Sequence, residues 1–405
     1  MNITQRADLT FKHNVNQSRH GWLRLTPAYS VKLVSDILQQ FDKKLTVFDP
    51  FSGTATTPLT AVTLGHIGYA CEINPFLVWL GNAKLRNYTK DEIEAAIFTG
   101  ERIENNINTL KPIVAPSISH IERWWTPEVL DYLCKVKKGI DDCDQNQNVK
   151  NLLLVAFCKT LIELASVSYG HQSVSFKKEK TSHPLFDWFQ TPQINGHFLA
   201  NLAEITKYAK EKYEEKGQVF HCDSRSLEIM EQKNCDIVIT SPPYPNRMSY
   251  IRELRPYMYW LGYLQNTQSA GVLDWETIGG TWGCATSKLN DWSVKDELYL
   301  TETVRKAVNG VENCQNKSGV LMAIYIKKYF YDMYQHFKSM YHLFPNVEMH
   351  YIIGNSKFYD CMVDAEIIYS ELLELVGFKH IEINTIRKRN SKKELFEFDV
   401  VVNKY

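Results

Sequence analysis

The chain predicts an open α/β sheet of mostly parallel strands, and three observations carry that expectation. Short apolar, β-branched runs alternate with helix-patterned segments, the order of a strand–helix–strand architecture. Two of those runs feed directly into loops of unusual composition, Pro50-Phe-Ser-Gly-Thr54 and Ser241-Pro-Pro-Tyr244. The C-terminal region reads as a strand, a helix and then two strands joined by a basic turn.

Each element has its own sequence signal. Leu25 to Ser30 leads into a helical pattern over 31–41. Residues 45–48 form the first apolar strand, closing on Asp49, and a small-residue loop then opens a helix over 58–65. Residues 67–71 read as the second strand with Glu72 at its end, followed by a helix over 75–85. Strands over 218–222 and 235–240 come next, the first ending beside Asp223. A long amphipathic stretch covers 319–344, a strand 347–353 and a helix 364–376, which Gly377 closes. Strands over 379–387 and 396–403 finish the chain.

Residues 90–215 are too long for a plain connection and carry helical pattern, so they are expected to form an inserted helical subdomain. They divide a core into residues 1–89 and 216–405. Trp124, Trp125, Tyr169, Trp188 and Phe189 lie in the insertion. Residues 264–292, with Gly271, Gly279, Gly280, Gly283, Trp275, Trp282 and Trp292, read as an irregular recognition-type loop. Tryptophans packing one part of the chain onto another account for such residues equally well.

Composition narrows the class. Of 405 residues, 44% are hydrophobic and 23% charged, values of an ordinary soluble globular protein. No apolar run is long enough to span a bilayer and no signal-peptide pattern opens the chain, so a cytoplasmic protein is expected. Nine scattered cysteines argue against a disulfide framework, and no His/Cys cluster has zinc spacing, so no metal is expected. The 46 basic and 46 acidic residues balance, which leaves nucleic-acid binding to a local basic face. Two runs offer one: Lys177 and Lys178, and Arg387, Arg389 and Lys393. Either run is also what a solvated loop looks like.

The two loops specify chemistry. In Ser241-Pro-Pro-Tyr244 the prolines fix the backbone and remove two N–H donors, so the neighbouring carbonyls lack helical partners. Acceptors, a hydroxyl and an aromatic face at the carboxyl end of a strand suit a planar base held by an exocyclic amino group. In Asp49-Pro-Phe-Ser-Gly53, small residues let backbone N–H groups approach a ligand at a helix start. A carboxylate about twenty residues on, here Glu72, is the usual grip on ribose hydroxyls.

Together these segments resemble the amino-methylating DNA methyltransferases, which modify cytosine N4 or adenine N6. The resemblance covers roughly residues 20–85 and 218–403. It implies a Rossmann-like, seven-stranded sheet with the last strand antiparallel, and S-adenosylmethionine as cofactor. Carried over residue by residue, the cofactor contacts are Thr26, Pro27, Ala28 and Tyr29 around the methionine end; Asp49, Pro50, Phe51, Ser52, Gly53, Thr54 and Thr56 in the loop; and Glu72, Ile73, Asn74, Asp223 and Ser224 around the nucleoside. Ala55 replaces the family's second glycine. Ser241, Pro242, Pro243 and Tyr244 match the catalytic loop, where Ser241 and the Pro242 carbonyl would hold the amino group and Tyr244 would stack on a flipped base.

The implied partner is double-stranded DNA with a short recognition sequence, alongside a cognate restriction endonuclease in a restriction–modification system. A monomer or a homodimer fits. No Pro-Cys pair exists, which excludes carbon-5 cytosine methylation by a thiolate. Serine at the first loop position favours cytosine over adenine, since adenine enzymes more often carry Asp or Asn. An RNA amino-methyltransferase and a non-catalytic DNA-binding module remain the other readings.

Overall fold

The computed structural model describes residues 4–23, 25, 28–168, 175–176, 194–246, 249–280, 284–294, 296–389 and 394–403. Among these, seven strands build one sheet: β1 (Thr46–Asp49), β2 (Ile67–Glu72), β3 (Gly217–His221), β4 (Ile237–Thr240), β5 (Glu348–Gly354), β6 (Ile381–Lys388) and β7 (Phe396–Val402). Their spatial order is β6–β7–β5–β4–β1–β2–β3. Neighbours pair parallel except at β7, which runs antiparallel to both β5 and β6. The expected closing hairpin is therefore present, and it covers one edge of the sheet.

Side-chain alternation assigns the two faces. On β1, Val47 joins a cluster with Ile237, Ile239 and the helix α1 (Val31–Leu38), whereas Phe48 joins the opposite cluster. That second cluster is filled by the helices α10 (Glu302–Glu312), α11 (Gly319–Leu343) and α12 (Ala365–Val376), which lie between β4 and β6 in the chain. Gly377 ends α12 at φ +117°, a left-handed cap. The helices α2 (Thr56–Thr63) and α3 (Pro75–Leu85) follow β1 and β2.

The insertion holds α4 (Lys90–Asn105), α5 (Pro127–Asp142), α6 (Gln147–Glu163) and α7 (His197–Ala209). A capping box of Thr89 and Glu92 starts α4, and Asn146 caps α6. These helices share one apolar cluster with Phe76 and Leu80 of α3 and with α8 (Tyr250–Trp260). Trp125 is a packing residue here: its indole N–H donates to the Leu161 carbonyl at 2.9 Å, and its ring meets Trp260 edge-on at 5.7 Å. Tyr169, Trp188 and Phe189 lie outside the described residues.

Two expectations need correction. Part of residues 264–292 is helical rather than irregular, since α9 (Thr267–Glu276) lies within them with an Asn266 cap and a buried Ala270. Asn266 and Ser269 satisfy each other's backbone, a local signal that the glycines mask. The cysteines also include one bridge, Cys71 to Cys222, with Cα atoms 5.6 Å apart. Pairing of β2 with β3 brings the two together across 151 residues of sequence, which spacing alone does not reveal.

Arg19, on a short helical turn near the N-terminus, is fully buried. Its guanidinium donates to five backbone carbonyls: Lys84 and Arg86 at the end of α3, and Tyr208, Ala209 and Glu211 at the end of α7. All five N–H donors of an arginine are thereby used against the negative ends of two helices. No membrane-crossing helix, judged by length and apolarity, occurs among the described residues.

Candidate active site

The sheet order reverses between β1 and β4, and a cleft of about 430 Å³ opens there at the carboxyl ends of the strands. Its walls bring together residues from the N-terminal segment, the loops after β1 to β4, and the β6–β7 hairpin. Almost every residue expected at the cofactor site lies on it: Ala28, Tyr29, Pro50, Phe51, Ser52, Gly53, Thr54, Thr56, Glu72, Ile73, Asn74, Asp223 and Ser224. Asp49 sits just beneath, fully buried. Thr26 and Pro27 are outside the described residues, as are Lys177, Lys178 and Lys393.

The loop after β1 is shaped by the acids around it. Asp49 accepts from the Phe51 amide at 2.9 Å and from the Thr240 hydroxyl at 2.6 Å, tying β1 to β4. Burial pushes its carboxyl up to about 6. Glu72 accepts from the Gly53 amide at 2.8 Å and the Asn74 amide at 2.9 Å, and desolvation pushes it up to about 7. Gly53 and Ala55 both have left-handed backbones, at φ +49° and +63°. A methyl group on Gly53 would meet only the Phe51 carbonyl, at 3.9 Å, so the glycine leaves space above the loop.

Three residues that motif reading missed hold this end in place. Lys84, fully buried on α3, donates to the Thr54 carbonyl at 3.0 Å, and burial pushes its ammonium down to about 7. Arg225 grips Asp223 through Nε and Nη2, at 2.9 and 2.6 Å, and reaches Asp332 of α11 at 3.1 Å. His336, also on α11, contacts the Ser224 carbonyl through Nδ1 at 2.8 Å and Tyr351 through Nε2 at 3.0 Å. Burial keeps it neutral, with its pKa lowered to about 4, and its ring lies 4.7 Å from Phe51.

At the other end, Ser241, Pro242, Pro243 and Tyr244 line the same cleft. The Ser241 hydroxyl donates to the Ile352 carbonyl of β5 at 3.1 Å. The side chain also neighbours the Tyr244 hydroxyl, and with its proton on the carbonyl it retains acceptor capacity for an incoming donor. Tyr329 of α11 donates to the Pro243 carbonyl at 2.7 Å, which fixes the loop from behind. Tyr244 donates to Glu397 of β7 at 2.8 Å, and the Arg389 guanidinium lies 4.9 Å from its ring centroid.

Of the basic run expected to face phosphates, Arg387 and Arg389 lie among the described residues, and both turn toward the cleft. Arg387 lies within β6 and pairs with Glu397 at 2.7 Å, while Arg389 donates to the Asn355 carbonyl at 2.9 Å. Both line the cleft. A buried carboxylate and an aromatic face draw the two arginines inward, and no charge count along the sequence anticipates that.

The residues present fit S-adenosylmethionine. Ser52 Oγ is buried at the cleft without a hydrogen-bond partner among the described residues, and the space above Gly53 lies beside it. Glu72 keeps acceptor capacity for ribose hydroxyls beyond its two amide bonds. A seven-stranded sheet with one antiparallel strand, carrying such a cleft at its switch point, is the architecture expected of an S-adenosylmethionine-dependent methyltransferase.

Relatives agree. The chain is 22% identical to the type II methyltransferase M.BsoBI of Geobacillus stearothermophilus, over 96% of this chain and 85% of that one. It is 22% identical to the type II methyltransferase M.MvaI of Kocuria varians, over 84% of this chain and 76% of that one. To the type II methyltransferase M.AvaI of a Nostoc species it is 21% identical, over 96% and 86%. No family model and no solved structure matches. The protein is thus a distant, near-full-length homologue of the type II DNA methyltransferases of restriction–modification systems, and that homology implies the use of S-adenosylmethionine.

Proposed function

We propose that the protein methylates the exocyclic amino group of a base flipped out of double-stranded DNA at a short recognition sequence, and that the base is cytosine, modified at N4. The observation that carries this reading is the Ser241 hydroxyl, whose proton is held by the Ile352 carbonyl. An aromatic amino group is a poor nucleophile because its lone pair is delocalised into the ring. Ser241 Oγ and the Pro242 carbonyl, both accepting, would draw the two N–H bonds toward tetrahedral nitrogen and free that pair. The cofactor, when bound, supplies a methyl group on a sulfonium, whose sulfur keeps the C–S electron pair as the new N–C bond forms. The nitrogen then loses one proton to solvent. Phe51, Gly53 and Glu72 hold the donor side, and Tyr244 holds the base plane, so positioning supplies much of the acceleration.

No acidic residue occupies the Ser241 position, which favours cytosine over adenine at this loop. Incubating plasmid DNA and purified protein with labelled S-adenosylmethionine, then digesting to nucleosides for mass spectrometry, tests the reading. N4-methylcytosine at a fixed sequence context is the expected product. N6-methyladenine would replace cytosine by adenine, and an unlabelled plasmid would overturn the proposal.

A further inference from the structure

The base end of the cleft contains three charged side chains that the mechanism above leaves unused: Arg387, Arg389 and Glu397. Glu397 is buried and occupied on both sides, by Arg387 Nε at 2.7 Å and by the Tyr244 hydroxyl at 2.8 Å. It anchors Tyr244 and its charge is balanced. Arg389 stands differently, since no carboxylate lies within ion-pairing distance of it among the described residues. Its backbone amide is pinned to the Leu395 carbonyl at 2.7 Å, and Nη1 to the Asn355 carbonyl at 2.9 Å.

Space has been left for this side chain. A methyl group on Gly354 would come within 2.3 Å of Arg389 Nη1 and 2.9 Å of the Tyr244 ring. The glycine at the end of β5 therefore lets a guanidinium and an aromatic ring share one wall. The arrangement is a planar cation laid against the ring expected to stack on the base, in the same cleft as Ser241.

We infer that Arg389 is a specificity-determining residue that reads the Watson–Crick edge of the flipped base and selects cytosine. The inference rests on the amino-methylating reading given above. A guanidinium has only donors, so it can face only base atoms that accept. With the amino group on Ser241 and Pro242, cytosine presents N3 and then O2 along the same edge, and both accept. Adenine in that pose presents N1 and then a C2–H bond. The second position leaves a charged donor facing carbon, a mismatch worth roughly 10- to 100-fold in rate.

The test compares parent, R389M and R389K enzymes on duplexes carrying the mapped recognition site. The target position holds either cytosine or adenine opposite a mismatched base, so that flipping is easy for both. Single-turnover rates give the cytosine-to-adenine preference. Isothermal titration of S-adenosylmethionine and the salt dependence of DNA affinity are measured alongside. The expected result is a preference that falls about tenfold or more in R389M through loss of cytosine turnover, is partly kept in R389K, and leaves cofactor affinity and the salt slope unchanged. An R389M enzyme that slows equally on both bases would reduce Arg389 to a support for Tyr244 and overturn the inference. A flattened salt slope with an unchanged preference would make it a phosphate contact and overturn it too. If the parent places methyl groups only on adenine, the functional reading itself fails, whatever R389M does.

Discussion

The end of the cleft proposed for the cofactor is bordered by a main-chain loop and two buried acids from adjoining strands. The end proposed for the base is bordered by side chains from three separate segments: the Ser241–Tyr244 loop, Arg387 and Arg389 of the β6–β7 hairpin, and Glu397 of β7, with Gly354 of β5 leaving room for two of them. The first end is built locally, so a run such as Asp49 to Gly53 carries its own geometry. The second is built by topology, since Tyr244 and Glu397 stand 153 residues apart and meet only because β7 inserts beside β5. Local construction gives a general site for a constant ligand. Distributed construction leaves room to change which base is admitted.

The two ends should therefore fail separately, and the largest effect belongs to the base end. Ser241→Ala removes an acceptor used only as the amino nitrogen changes geometry. It should lower kcat by roughly 100-fold or more while leaving cofactor affinity unchanged in isothermal titration. Normal turnover in that variant would break the comparison at its centre.

Glu72→Ala is the counterpart at the cofactor end. It should weaken S-adenosylmethionine binding by about 2 kcal/mol, with single-turnover rate at saturating cofactor nearly preserved. The same carboxyl gives a pH signature. Its folded pKa, about 7, lies above the ordinary 4.5, so it favours the protonated folded state. That contribution to stability is complete below about 4.5 and is lost as pH rises through about 7. Ligand-free protein should show this decline in its thermal midpoint, and Glu72→Gln should flatten it. Ribose hydroxyls donating to the ionised form should also make cofactor binding release protons near pH 6, as calorimetry in buffers of different ionisation heat would reveal. A Glu72→Gln enzyme with undiminished proton release would reassign the linkage, Asp49 being the neighbour to examine next.

Glu397→Gln sharpens the contrast further. It keeps the shape but weakens the hold on Tyr244 and frees Arg387, so kcat should fall by roughly tenfold with cofactor affinity untouched. Because the residue acts through Tyr244, a mismatched target that flips easily should recover part of the loss, which general misfolding would not allow. The smallest effect is expected at Ala55. Glycine there would relieve a left-handed alanine by about 1–2 kcal/mol. Against that stand a lost buried methyl, about 0.8 kcal/mol, and added unfolded-state freedom of similar size. Urea unfolding should find Ala55→Gly within about 1 kcal/mol of the parent.

Legibility followed the same division. The seven strands were readable because each is a short apolar run bounded by turn residues, and Asp49, Glu72, Asp223 and Ser241 fell at their ends as expected. Helix α9 was hidden because glycines and tryptophans over 264–292 resemble a loop, while the Asn266–Ser269 cap is a two-residue signal. Lys84, Arg225 and Glu397 could not be found from local pattern, since each acts across the fold on a residue named by another motif. Arg387 and Arg389 were seen, but the environment that turns them inward is made by β7 and Gly354.

Arg19 adds a consequence in time. Its farthest partner, the Glu211 carbonyl, is 192 residues downstream. At roughly 5–20 residues per second, a ribosome needs about 10–40 s to deliver that partner after making Arg19. Until then the guanidinium can close only upon the Lys84 and Arg86 carbonyls at the end of α3, because its α7 partners do not yet exist. The residue that ties the N-terminal segment to two helix ends is thus translated among the first and gains its full set of partners only after the whole helical insertion has emerged.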